Sequence, residues 1–135
     1  MTKEKRTKSI ATTEPLDTNT TASAKLLKKA RNKKQVIHHV FFWLKNRASK
    51  EDLDKLLAGL KTLKKIETIR KMYIGVPAST EIRPVVDSTF SASELMFFDD
   101  LAGQKIYQDH PIHQKFIEDC SNLWDKVIVF DVIDA

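Results

Sequence analysis

The sequence predicts an α+β fold: a four-stranded antiparallel sheet of the ferredoxin-like, split β-α-β type, with helices on one face. Three observations predict it. Short β-branched and aromatic segments alternate with amphipathic segments in the order strand, helix, strand, strand, helix pair, strand. The 135 residues suffice for one domain with one core. The first and last strands are apolar on both alternating faces, so the sheet needs cover on both sides.

The first strand is QVIHHVFFWLK, residues 35–45. His39, Phe41 and Trp43 share one face, while His38, Val40, Phe42 and Leu44 share the other. Ser49 then offers an N-cap, with Asp52 three residues on, close to a capping box. Leu53, Leu56, Leu57, Leu60 and Leu63 follow at helical spacing, a stripe that lies on a sheet. RKMYIGVP, residues 70–77, is a second strand closed by Pro77, and residues 78–86 are a loop. DSTFSASELMFF, residues 87–98, is a third strand, polar at first and apolar at its end. DDLAGQKIYQD is a short helix with an Asp N-cap.

The next helix opens on HPIH. Proline suits the first helical position because its missing N–H costs nothing there, and it pushes the residue before it out of the α region. His110 is therefore the N-cap and His113 lies in the first turn. Ile112, Phe116, Cys120 and Leu123, flanked by Ile117 and Trp124, form the stripe to be buried. DKVIVFDVI, residues 125–133, is the last strand. With helices on one face, the other apolar face points to a second subunit, hence a homodimer with two sheets facing each other.

Charge divides the chain. Residues 1–34 carry 10 Lys/Arg against 3 Asp/Glu, a net of +7, and residues 35–135 carry 13 against 15, a net of −2. The basic balance belongs to an N-terminal extension, residues 1–34, expected to be disordered because it is polar and poor in large apolar groups. SAKLLKKARNKK, residues 23–34, suits a short basic helix, either a docking arm for an acidic surface or a solubilising tail. The domain proper is residues 35–135. It is mildly acidic, so no nucleic-acid partner is expected. A secretory signal needs an apolar run that this start lacks, and no apolar stretch is long enough to span a membrane. The single cysteine, Cys120, allows no intrachain disulfide. Together these fit a cytoplasmic protein.

Several enzyme classes have no motif here. The chain has three glycines, with no dinucleotide or phosphate-binding loop and no nucleophile elbow. Cys120 falls on an apolar stripe, as a small core residue does. What remains is a cluster of histidines. YQDHPIHQKF places His110 and His113 after Tyr107, and HH in the first strand supplies the other two. Histidine exchanges protons near neutral pH. His39 and His113 converge if the helix packs over the end of the first strand, and the Tyr107 hydroxyl would then hold a substrate carbonyl or developing oxyanion. A metal site built from His110, His113 and His39 is a further reading, although no additional ligand pattern completes it. A purely structural reading explains the same residues as a cap, a core hydrogen bond and a barrel-mouth filler.

HHVFFWLK, YQDHPIHQKF and LWDKVIVFDV, in this order over residues 36–133, resemble the stress-responsive A/B barrel domain family of the dimeric α+β barrel proteins. The resemblance implies homodimers whose two sheets make a central barrel, and in some members cofactor-free cyclase or isomerase chemistry. It carries a strand histidine to His39, a tyrosine to Tyr107 and a helix histidine to His113 as catalytic residues. Phe41, Trp43 and His110 are the expected substrate-binding residues, with His110 at the more structural His-Pro position. The FFWLK ending of the first strand and the N-terminal extension depart from the family pattern. The implied ligand is small and hydrophobic, and no cofactor or metal is implied. A non-catalytic stress-related barrel protein and a haem- or quinone-oxidising monooxygenase of the wider group are the alternatives; no motif selects the latter.

Overall fold

The computed structural model describes residues 21–27 and 33–135. Residues 21–27 are helical and belong to a separate unit. The expectations for residues 1–20 and 28–32 lie outside the described residues.

The unit Lys34–Ala135 carries the sheet and its helices. Its elements run β1 (Val36–Leu44), α1 (Lys50–Thr62), β2 (Ile69–Gly75), β3 (Ala92–Phe98), α2 (Leu101–Asp109), α3 (Pro111–Cys120) and β4 (Trp124–Ile133). Short 3-10 turns follow α1 and α3. All pairings are antiparallel, in the order β2-β3-β1-β4. This is the ferredoxin-like arrangement that the element order predicts.

Local chemistry sets the ends. Ser49 is extended, and its Oγ accepts the Asp52 N–H at 3.0 Å, which opens α1. Asp100 does the same for α2 through Gly103 N–H at 2.8 Å. His110 is extended, and its Nδ1 accepts the Ile112 N–H at 3.0 Å, with Pro111 beginning α3. Two strands differ in their bounds: β2 ends at Gly75, before Pro77, and β3 starts late. β3 begins at Ala92, not at residue 87. Asp87 Oδ1 accepts from both the backbone N–H and the hydroxyl of Thr89, at 2.9 and 2.6 Å, and such a local turn competes with strand pairing.

The core lies between the sheet and the helices. Val36, Val40, Phe42 and Leu44 of β1 meet Leu56 and Leu60 of α1, Tyr107 of α2 and Phe116 of α3. α1 and α3 approach closely at Gly59, where an added Cβ would stand 2.5 Å from Cys120 Sγ. Cys120 is thus a buried packing residue. The opposite face is different. Phe41 stacks edge-on to Phe90 and Phe130, yet Tyr73, Phe130 and Val132 are each more than half exposed. No helix among the described residues is long and apolar enough to cross a membrane.

Candidate functional site

β1 decides which histidine enters the core. Its alternation turns Val36, His38, Val40 and Phe42 toward the helices. His38 is therefore buried, while His39 lies on the open face with its ring 4.2 Å from that of Phe41. The expected convergence of His39 with His113 does not occur. Both β1 faces are apolar, so composition did not distinguish them. The helical leucines made the choice by covering the face that begins at Val36.

Around His38, strand register places two carboxyl groups and helix packing adds Tyr107 and His113. β4 pairs Asp131 with His38, and Asp131 Oδ1 lies 2.5 Å from His38 Nδ1. An ionised carboxylate only accepts, so Nδ1 is the donor, and in a neutral ring Nε2 then carries the lone pair. Nε2 lies 3.7 Å from Glu94 Oε2. Glu94 comes from β3, opposite Val40, and is almost wholly buried. Tyr107, near the end of α2, donates its hydroxyl to Glu94 Oε2 at 2.9 Å. The short turn at His110–Pro111 then brings the His113 ring within 4.7 Å of the Tyr107 ring.

These side chains line a cavity of about 190 Å³ that includes His38, Glu94, Tyr107 and His113 and has Phe42, Phe116 and Trp124 in its walls. Val127, Val129 and Ile117 also line it and remain partly exposed, so it opens beside the β4 edge. Burial pushes the Glu94 carboxyl up to about 7, against the opposing effect of the Tyr107 hydrogen bond. Burial, reinforced by the nearby carboxylate, raises the Tyr107 hydroxyl far above its ordinary range. Burial also lowers His113, although a hydrogen bond to the Gln108 backbone resists, and the neutral imidazole is favoured. One Glu94 atom, Oε1, is buried without a hydrogen-bond partner.

The other expected site residues sit elsewhere. Phe41 belongs to the open face. Trp43 donates its indole N–H to Thr89 Oγ1 at 2.9 Å and lies under Lys126 Nζ, 4.4 Å from the ring centroid. His110 is the α3 cap, and its Nε2 faces Glu67 Oε1 at 3.4 Å. None of the three lines the cavity with His38. His39 lies on the opposite sheet face from His113, and among the described residues no group of three or more His, Cys, Asp or Glu is arranged to hold a metal ion. Sequence reasoning missed His38, Glu94 and Asp131. The signal was there for two of them: Glu94 is a lone charge inside ASELMFF and Asp131 a lone charge inside VIVFDVI.

Comparison with known proteins agrees with this architecture. No curated protein sequence matches. A Dabb family protein of ferredoxin-like fold from Mesorhizobium loti is 24% identical, covers 76% of this chain and 98% of its own, and superposes with a TM-score of 0.63. A dimeric protein of ferredoxin-like fold from Bacteroides fragilis is 23% identical, with 74% and 96% covered and a TM-score of 0.57. The hydroxynitrile lyase of Passiflora edulis is 20% identical, with 76% and 95% covered and a TM-score of 0.60. At these identities the likeness concerns the fold. The sequence pattern of the stress responsive A/B barrel domain matches residues 36–134, and the chain belongs to that family.

Proposed function

We propose that this chain forms a homodimer and uses its helix-side cavity to move a proton on a small, mainly apolar carbonyl compound without a cofactor. The observation that carries the reading is the buried His38, held by Asp131 through Nδ1, with Nε2 3.7 Å from Glu94 Oε2 and free of a closer partner among the described residues. A general base needs reach and an orienting partner, and His38 has the partner. His113, kept neutral by burial, supplies a second acceptor in the cavity wall. Proton removal next to a carbonyl is the first step of both isomerisation and aldol-type cyclisation. A hydroxynitrile lyase on the same fold supports a catalytic role for such a scaffold. The dimer reading is supported by the exposed aromatic face and by a neighbour described as dimeric. One observation favours a second, non-catalytic reading: Tyr107 and Glu94 satisfy part of each other's hydrogen bonding inside the core.

The test is exchange of the α-protons of phenylacetone in D2O, followed by NMR, with a parallel thermal-shift screen of β-diketones and aromatic acids. Wild type exchanges above background, and His38→Ala slows the exchange by about 10²–10⁴-fold. Exchange at the background rate, or His38→Ala and His113→Ala variants that match wild type, refutes the acid–base reading.

A further inference from the structure

Resting on that reading of the cavity, we propose that Glu94 is its electrophilic group: a neutral carboxylic acid that donates a hydrogen bond from Oε1 to the carbonyl oxygen of a one-ring ketone or aldehyde. Tyr107 is the positioning residue that holds it there.

The argument begins with hydrogen-bond accounting. Buried polar atoms are almost always paired, and one left alone costs stability. Glu94 Oε1 is buried and unpaired, while Oε2 is occupied by the Tyr107 hydroxyl. Glu94 lines the cavity, and a ligand atom there is the partner assigned to Oε1. Its chemistry depends on where the Glu94 proton sits. The carbonyl oxygen of an acid is the better acceptor, so the Tyr107 hydroxyl on Oε2 favours the proton on Oε1. The groups facing Glu94 are His38 from β1, Tyr107 from α2 and His113 from α3, with Asp131 of β4 beyond His38. His38 Nε2, at 3.7 Å, is too distant for a hydrogen bond to Oε2. Burial favours the uncharged acid as well. A neutral acid in an apolar pocket is a strong donor to developing oxyanions.

The step balances without a co-reactant. His38 Nε2 takes the α-proton. The C–H electron pair becomes a C=C bond, and the carbonyl π pair moves onto oxygen. Oε1–H holds that oxygen, and the proton on His38 returns to carbon in the product. Size limits the substrate. A cavity of about 150 Å³ holds benzene, so about 190 Å³ holds one ring with a short substituent.

The probe is 4-nitrophenol, whose phenolate mimics the enolate oxygen and absorbs visibly when ionised. Wild type is expected to bind it, Glu94→Leu to weaken binding about tenfold or more, and Glu94→Gln, which keeps an N–H donor, to change it less than about threefold. At about pH 5.5–6, below the raised Glu94 value of about 7, infrared difference spectra of wild type minus Glu94→Gln should show the carbonyl stretch of a protonated carboxyl. That band should shift on binding, and Tyr107→Phe should move it without ligand. Melting curves establish that each variant is folded. The proposal is overturned if 4-nitrophenol does not bind, if Glu94→Leu binds as well as wild type, or if the protonated band is absent. It is also overturned if benzylammonium binds more tightly than 4-nitrophenol and loses affinity in Glu94→Gln, since Glu94 would then be an anionic cation site. Phenylacetone exchange separates the two readings. Exchange lost in His38→Ala but unchanged in Glu94→Leu sinks the Glu94 donor alone. Nitrophenol binding that needs Glu94, with no exchange in wild type, sinks the base and keeps the donor.

Discussion

The two faces of the sheet carry similar side chains and have opposite fates. On the helix side, β1 presents Val36, His38, Val40 and Phe42, all buried under leucines and aromatics of α1–α3. On the other side it presents Ile37, His39 and Phe41, which are only partly covered. There β4 leaves Phe130 and Val132 more than half exposed. Apolar character alone does not say which face a sheet's own helices will take. The helices settle it, and in doing so they decide which of two adjacent histidines is buried in the cavity wall. His38 enters an environment with a carboxylate partner at Nδ1 and the raised Glu94 carboxyl 3.7 Å from Nε2. His39 is lowered mainly by partial burial, with His38 nearby, and stacks on Phe41 without a carboxylate partner within hydrogen-bond reach among the described residues.

Breaking the open face should have the largest effect. Phe130→Asp places a charge at the centre of the exposed aromatic patch. If a second copy covers that face, the dimer dissociation constant rises by about 100-fold or more, because an unpaired interfacial charge costs several kcal/mol. Analytical ultracentrifugation at a series of concentrations reads this directly. An unchanged sedimentation profile would mean that the patch is not the interface. The same substitution should leave the cavity on the other face intact.

The covered face is sharpened by pH. The Glu94 carboxyl is raised from 4.5 to about 7, so the folded state binds its proton more tightly than the unfolded chain. Sign follows from linkage: stability is highest below the unfolded value and falls as pH rises from 4.5 through about 7. The loss is of order 3 kcal/mol. Urea midpoints for wild type should therefore fall between pH 5 and 8 relative to those of Glu94→Gln. Parallel curves for the two proteins would show that Glu94 is not held above its ordinary range.

A smaller effect tests how tightly the helices are seated. Gly59→Ala directs a methyl at Cys120 Sγ and the Phe116 ring. Overpacking of this kind costs about 1–3 kcal/mol, and thermal melts should show it. Gly59→Ala combined with Cys120→Ala should recover part of the loss, since the sulfur that blocks the methyl is gone. Equal melting temperatures for wild type and Gly59→Ala would mean that α1 and α3 can move apart without penalty.

Much of the architecture was legible because each signal was local. Ser49, Asp100 and the His110–Pro111 pair mark helix starts through hydrogen bonds to residues two or three positions away. The leucine spacing of α1 marks its buried stripe in the same way. Tyr107 and His113 were legible as neighbours because one short turn joins their helices. The Asp87–Thr89 turn was missed because a polar stretch before an apolar one reads equally well as strand or loop.

Composition and periodicity alone determined that this chain makes an α+β sheet with two apolar faces, and that its basic charge lies in the N-terminal extension. Tertiary structure decided the site. His38, Glu94, Tyr107 and Asp131 come from four different elements, and strand register with helix packing brings them within hydrogen-bonding or ion-pair distance. A one-residue change of face separates His38 from His39. That distinction depends on which side the helices cover, which is a property of the assembled layers and not of either histidine's neighbours in the chain.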